Sequence, residues 1–381
     1  MRTRSSRSRS LRVTATLALS ASVVALAACS PPAKEATGEA KSNASAKSAA
    51  DFGGMDQLVA AAKKEGKLNV IALPPDWANY GEIISTFQSK YGITVNSAQP
   101  DADSATEIST AKNLKGQDAA PDVFDLGQAV ALANTDMYAP YKVASFDKIP
   151  ADLKDADGLW VNDYGGYISI GYDAMKVPAP TSFADLLKPA YKGKVALNGN
   201  PTKAGAAFAG VVAAALGNGG SADDVAPGVA YFKKLKQAGN LVPVDPTPAT
   251  IQSGQTAVVI DWDYNNAGQT KALAGKIDWK AVIPEGAVNG AYYVQAINKD
   301  APHPAAARLW QEFLYSDQGQ NLWLKGGARP VLAEEMAKAG TIDKTAYDAL
   351  PPVSGTPVFI TEEQRAKITD YLNQNWQKEM G

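Results

Sequence analysis

LWVNDYGGYISIGYD, residues 159–173, is the stretch on which the fold turns. It alternates aromatic and small residues, holds the pair Gly165 and Gly166, and runs into a proline-rich turn from Val177 to Pro180. Alternation with a period of two is the pattern of extended chain. Helices and strands alternate on both sides of it, so the stretch reads as chain crossing from one lobe to another. A second extended run, AYYVQAI at 291–297, reads as the return crossing.

Before the crossing, Met55 to Glu65 is an Ala- and Lys-rich helix with Leu58, Val59 and Ala62 on one face and Gly66 as its stop. Leu68 to Leu73 is a short apolar strand ended by Pro74 and Pro75. Asn79 with Glu82 three residues on has the pattern of a capping box, and Ile83, Ile84 and Phe87 mark the inner face of the helix that follows. A strand from Ile93 to Ala98, a helix from Ser104 to Lys115 and a strand from Pro121 to Leu126 continue the alternation.

After the crossing the same pattern resumes. Helices are expected at 182–187, 203–216, 223–238 and 265–274, with strands at 194–197 and 257–261. The tail is helical at 304–314, 317–324 and 361–378. Such alternation predicts a sheet with many parallel strands, covered by helices on both faces. The fold class is therefore α/β: two discontinuous α/β lobes joined by a hinge, with a ligand crevice at the strand ends. The expected limits are residues 51–165 plus 291–345 for the first lobe and 166–290 plus 346–381 for the second.

The N-terminus is of another kind. Five arginines (Arg2, Arg4, Arg7, Arg9, Arg12) precede an apolar run from Val13 to Ala28, with no Asp or Glu before Cys29. A positive start, an apolar middle and small residues at the end make a secretory signal over residues 1–28. Leu26 to Cys29 reads LAAC, and resembles the lipobox of bacterial lipoproteins. That resemblance implies cleavage before Cys29 and acylation of this single cysteine, palmitate included. Residues 30–50 lack any aromatic or large aliphatic side chain. Such a stretch cannot offset its ordering entropy, so 29–50 is expected to be a flexible tether reaching roughly 25 Å.

Loss of the signal removes five of 37 basic residues and leaves 32 against 39 acidic ones, a net charge of −7. The remaining 353 residues suffice for two cores. A mildly acidic chain without a basic cluster gives no support for nucleic-acid binding. One histidine, His303, stands between two prolines at a helix start and reads as a surface residue. With one acylated cysteine besides, Ser-His, Cys-His and histidine–zinc chemistry lack their residues. Gly217 to Gly220 ends a helix instead of joining strand to helix, so it is no phosphate loop. No cofactor and no metal are expected. A secreted, lipid-anchored hydrolase using a carboxylate pair, such as Asp261 and Asp263, is the alternative, because such pairs have no local signature.

Several segments in order resemble the extracellular solute-binding proteins of ABC importers with the type II periplasmic-binding-protein fold. They are LVAAAKKEG at 58–66, DWANY at 76–80, FQSKYGI at 87–93, PDVFDL at 121–126, SFADLLKPAYKGKV at 182–195 and FLYSDQGQ at 313–320. Within that family the chain resembles the cluster that handles polyamines, thiamine, iron and phosphonates. The resemblance implies a monomer anchored through lipid to the outer face of the cell membrane. It would capture a small polar solute and deliver it to an ABC permease with ATPase subunits. Closure would be a population shift, the ligand favouring the closed clamp.

In that family the cleft is lined by loops after strand ends, here 74–80, 125–128, 198–205, 261–266 and 290–295. Trp77, Tyr80, Gln128, Thr202, Lys203, Asp263, Tyr264 and Tyr293 are the expected ligand-binding residues. Trp77 and Tyr80 would stack on a flat or cationic solute, or Trp77 would pack as core. Thr202 and Lys203, beside free backbone N–H groups at a helix start, would suit an anion, or the helix is ordinarily capped and Lys203 is solvated. Polyamine-binding relatives carry carboxylates at that helix start, which weakens a cationic ligand but leaves Asp76, Asp261 and Asp263 as anchors. Iron-binding relatives carry an adjacent tyrosine pair after the strand matching 257–261, where this chain reads Asp263, Tyr264, Asn265. Tyr292 and Tyr293 lie on another strand, where neighbours face opposite ways.

Overall fold

The computed structural model describes residues 38–381. The signal sequence and Cys29 lie outside the described residues. In chain order the helices and strands begin with α1 (Gly38–Ser45), α2 (Met55–Glu65), β1 (Lys67–Ile71), α3 (Tyr80–Tyr91), β2 (Thr94–Ala98), α4 (Ser104–Asn113) and β3 (Val123–Gly127). Next come α5 (Gln128–Leu132), β4 (Tyr138–Ala139), β5 (Val161–Asp173), β6 (Val195–Leu197), α6 (Gly205–Leu216), α7 (Ala226–Gln237) and α8 (Pro248–Ser253). β7 (Val258–Trp262), α9 (Asp263–Ala272), β8 (Trp279–Val282), β9 (Asn289–Asn298), α10 (Pro304–Leu314), α11 (Asp317–Lys325) and β10 (Arg329–Pro330) follow. The chain closes with α12 (Ala333–Ala339), α13 (Lys344–Asp348), β11 (Val358–Phe359) and α14 (Glu362–Met380).

β5 and β9 are the spine. They run antiparallel, with Val161 opposite Gln295 and Tyr167 opposite Gly290. β9 also pairs with β3, β4 and β11, whereas the second half of β5, from Ile168, pairs with β7 and β8. One strand thus passes from one group of strands to another, as its sequence predicts. Gly165 and Gly166 sit at the passage, and a Cβ on Gly166 would overlap the Asp263 carboxylate. The β5–β9 register shifts between Asn162 and Gly165, where β5 has one residue more than its partner. This bulge contains Asp163 and Tyr164, and it re-aims both.

The expectation of many parallel strands is corrected. Parallel pairing joins β1 to β2, β6 to β7 and β9 to β11; the pairs made by β5, and those of β9 with β3, β4 and β5, are antiparallel. Of the two long crossing strands, β5 runs counter to all of its neighbours and β9 to all but β11.

The tether expectation is also corrected from Gly38 onward. Arg308 on α10, 1% exposed, donates from Nε to the Ala46 carbonyl and from Nη2 to that of Ala44, at 2.8 and 2.7 Å. The Lys142 amide donates to the Lys47 carbonyl and the Asn43 amide to Glu65. Backbone carbonyls, which every sequence offers, hold this segment, so its lack of apolar side chains does not free it.

Two smaller readings change. Asn79 is the N-cap of α3, but in the left-handed region (φ 68°) and without a capping bond from its side chain. Its amide donates instead to Glu82 and to the Leu322 carbonyl. His303 is buried, not at the surface: its backbone N–H donates to Asp122 Oδ1, and Nδ1 lies 3.0 Å from Asp122 Oδ2. Burial pulls the imidazole pKa down, but bonding to Asp122 outweighs it and the net shift is upward.

Candidate functional site

The strand ends converge on a cavity of about 800 Å³. Its first wall is the turn after β1. Ala72 (φ 56°), Ala78 (φ 45°) and Asn79 (φ 68°) are left-handed here, as is Gln99 (φ 43°) after β2. Ala72 and Gln99 both line the cavity. Non-glycine residues rarely occupy this region, and such strain concentrates where the backbone serves a site.

The turn presents Trp77, half-buried at the cavity wall. Its ring meets Tyr264 and Tyr293 edge-on, with centroids at 6.0 and 5.6 Å. Its indole N–H donates to the Tyr164 hydroxyl at 2.8 Å, which donates in turn to Asp125 Oδ2 at 2.9 Å. Asp125 comes from β3 and lines the cavity, and its Oδ1 is buried without a hydrogen-bond partner. Burial pushes its pKa up to about 7, against the polar groups of Tyr164, Tyr80 and Gln295.

On the opposite wall, Asp261 of β7 takes hydrogen bonds on Oδ2 from Asn198 and Asn265, at 2.9 and 3.1 Å. Burial lifts its pKa to about 6, opposed by those amides and by the Trp262 N–H. Asn265 and Gln269, one turn apart on α9, line the cavity with their carbonyl oxygens buried and unpartnered. Unmet buried oxygens of this sort call for a donor.

Charge follows the same direction. Asp76, Asp101, Asp103, Glu107, Asp125, Asp245 and Asp261 line the cavity, and among the described residues Lys203 is the one basic side chain there. Two of these acids have structural work as well: Asp103 caps α4 through the Thr106 N–H, and Glu107 accepts the Asp125 N–H. Burial raises Glu107 well above the usual carboxylate range, with the charge of Asp125 adding to it.

Of the residues expected from sequence, Trp77, Lys203 and Tyr293 line the cavity. Tyr293 is buried, with Trp262 Nε1 donating to its hydroxyl at 3.4 Å, whereas its neighbour Tyr292 stacks on Phe359. The other five stand elsewhere. Tyr80 is fully buried on α3 and accepts a hydrogen bond from Gln295. Tyr264 is core, stacked on Trp262. Gln128 accepts a hydrogen bond from Arg365, away from the cavity. Thr202 turns back on Asn200, whose Oδ1 takes both its N–H and its hydroxyl. The N–H groups of Lys203 and Ala204 go to the Asn200 carbonyl, so the donors expected there for an anion are committed locally. Asp263 is fully buried and ion-paired with Arg329. Asp261 and Asp263 therefore do not share the cavity.

Each of the five expected loops lines the cavity, though often through other residues than those expected. In 125–128 the cavity takes Asp125 rather than Gln128, and in 261–266 it takes Asp261, Asn265 and Asn266. Strand parity carries the signal: β3 and β7 run straight into helices, and Asp125 and Asp261 lie within the strands. The segments 99–107 and 245–251 also line the cavity and were not expected.

The bacterial extracellular solute-binding protein family matches residues 121–348, more than half of the chain, and the chain belongs to it. Among solved structures, the fructose-6-phosphate-bound periplasmic binding protein AfuA from Actinobacillus pleuropneumoniae aligns with TM-score 0.60 and 16% identity, over 82% of this chain and 99% of that one. A protein assigned to spermidine/putrescine ABC transport in Listeria monocytogenes aligns with TM-score 0.61 and 13% identity, over 82% and 98%. Iron-bound HitA from Pseudomonas aeruginosa aligns with TM-score 0.57 and 16% identity, over 83% and 99%. These likenesses fix the fold as that of type II periplasmic binding proteins. Family membership makes the chain a solute-binding protein of an ABC importer, working outside the cytoplasm. No helix among the described residues is long and apolar enough to cross a membrane.

Proposed function

We propose that this protein captures a small, positively charged organic solute, of the polyamine or thiamine kind, and hands it to an ABC permease driven by its ATPase subunits. The observation that carries the reading is the excess of acceptors: seven carboxylates face one lysine, with the Asn265 and Gln269 oxygens unmet. A cation in a half-desolvated, acid-lined cavity gains both charge attraction and hydrogen bonds. Trp77 and Tyr293 add ring faces, worth roughly 0.5–2 kcal/mol to a cation. The protein acts as a binder and not as an enzyme, as a monomer held through Cys29 to the outer face of the membrane. The two lobes, 51–165 plus 291–345 and 166–290 plus 346–381, close on the solute. The packing of α14 against α7 supports placing the C-terminus in the second lobe.

A phosphonate-like solute is the second reading. It is favoured by Lys203 and by the first residues of α6, Gly205 and Ala206, at the cavity wall. A thermal-shift series separates the two, using putrescine, spermidine, thiamine, 2-aminoethylphosphonate, inorganic phosphate, ferric citrate and glucose. A ligand at 100 times its Kd adds about 2.7 kcal/mol and raises Tm by several degrees. Amines or thiamine should shift Tm and phosphate should not. A shift with phosphate and none with amines would reverse the assignment.

A further inference from the structure

Asp125 lines the cavity, Asp163 is buried in the β5 bulge, and Gln295 and Tyr164 connect the two. Gln295 of β9 lies opposite Asp125 on β3 and opposite Val161 on β5, two residues before Asp163. Its amide donates to Asp163 Oδ2 at 2.9 Å and to the Tyr80 hydroxyl at 3.0 Å. Asp163 is 0% exposed, and it is in the β5 bulge that this carboxyl enters the core. Its Oδ1 accepts the Tyr164 N–H at 2.6 Å, and the Tyr164 hydroxyl holds Asp125. The titratable groups facing Asp125 are Tyr80 from α3, Glu107 from α4, Asp163 and Tyr164 from β5, Tyr264 from α9, Tyr293 from β9 and Tyr315 after α10. None of them is a cation. Among the described residues, neither carboxylate is ion-paired with a lysine or an arginine. Two desolvated carboxylates so placed cannot both ionise cheaply.

We propose that Asp125 is the side chain that fixes the positive group of the solute, and that the solute's arrival expels a proton which Asp125 and Asp163 hold between them while the cavity is empty. The proposal rests on the cationic reading above. The exchange balances: the pair loses one proton to solvent, gains one negative charge, and that charge faces the incoming cation. Desolvation of both groups supports it, since it raises Asp163 as well as Asp125. Trp77 and Tyr164 are positioning residues, acting through their chain of hydrogen bonds to Asp125 Oδ2. The arrangement makes capture selective for charge. A neutral solute of the same shape would leave the proton in place and the acceptors unmet.

The test is calorimetric titration of the full chain with putrescine and, separately, with thiamine at pH 7, in phosphate and in Tris. These buffers differ in ionisation enthalpy, so the difference in heat counts protons. An alkylammonium titrates near pH 10, so a proton released on putrescine binding comes from the protein. The expected release is about half a proton to one per solute bound. Apparent affinity should fall by up to about tenfold for each pH unit below neutrality. Asp163→Asn removes the like-charged neighbour; it should still bind, with a smaller release, because burial alone still holds part of the proton on Asp125. Asp125→Asn should lose most of the affinity. Binding with equal heats in both buffers overturns the proton exchange and leaves the cationic reading standing. No heat with either probe overturns the cationic reading, and the exchange with it. The wild-type comparison decides the matter even if a variant fails to fold.

Discussion

The Trp77 indole N–H sits 2.8 Å from the Tyr164 hydroxyl, which ties the turn after β1 to the bulge of β5. Trp77 is therefore both cavity wall and part of the hydrogen-bonded frame behind it. Trp77→Ala removes the ring and the donor together and should weaken solute binding at least tenfold. The fold should survive, because the side chain is only half-buried. Trp77→Phe keeps a ring and loses the donor, so its affinity should fall between the two. Isothermal titration beside a urea melt checks this. A lowered urea midpoint with unchanged affinity would make Trp77 core and nothing more.

Arg329 is the partner of a carboxylate with no exposure, Asp263. The Tyr167 and Tyr264 N–H groups also donate to that carboxylate, and burial still raises its pKa against the pull of Arg329. Arg329→Ala leaves the buried acid without a counter-charge. Breaking a buried pair in this way costs about 3–5 kcal/mol, and removing Arg329 also frees the Pro351 carbonyl it holds. Denaturant unfolding should show a loss of this order. Asp263→Asn should cost less, because the amide leaves no buried anion.

How far the sequence carried can be judged from particular residues. Met55–Glu65 and Pro304–Leu314 form helices over the expected spans, because their apolar spacing and their stops are local properties. The crossing at 159–173 was legible for the same reason, since alternation and a glycine pair mark extended chain wherever it lies. The direction of pairing was not legible, because β5 and β9 meet across more than a hundred residues. Site residues divided in a similar way. Trp77 sits in an unusual turn and could be singled out. Asp125 is one acid among many until β3, the β5 bulge and β9 bring Tyr164 and Gln295 around it. His303 looked exposed between two prolines and is buried because Asp122, 181 residues away, receives it.

The ligand-free protein should be more stable at pH 5 than at pH 8. Asp125 and Asp261 have folded pKa values raised to about 7 and about 6, and Glu107 and Asp163 are raised as well. For a raised acid the native state holds the proton longer than the unfolded chain, so stability falls as pH rises from the unfolded value through the folded one. His303, raised by Asp122, acts in the same direction: its contribution is full below the unfolded value and is lost above the folded one. Asp185 and Glu82, which lysines and neighbouring donors hold low, lose their contribution only under more acid conditions and are level across this window. Calorimetric melts at pH 5, 6, 7 and 8 should show Tm falling along the series. Asp261→Asn should flatten the fall, and saturating solute should offset it at the alkaline end. A Tm that rises from pH 5 to 8 would mean that these carboxylates are ionised without cost.

Lys203 provides the sharpest test of charge in the cavity. Its side chain is exposed, whereas the seven carboxylates share the same cavity, some deeply buried. If the solute is a cation, Lys203 opposes it from the mouth, and at an effective dielectric near that of water the repulsion amounts to well under 1 kcal/mol. Lys203→Ala should therefore leave affinity for an amine unchanged or raise it a few-fold. Lys203→Glu should raise it further, and the gain should shrink as salt is added. For an anionic solute every sign reverses: Lys203→Ala weakens binding and Lys203→Glu abolishes it. Titrating both variants with putrescine and with 2-aminoethylphosphonate at low and moderate salt reads the sign directly. The substitution lies at the exposed mouth, so it changes the field in the cavity without touching the frame of Trp77, Tyr164 and Asp125.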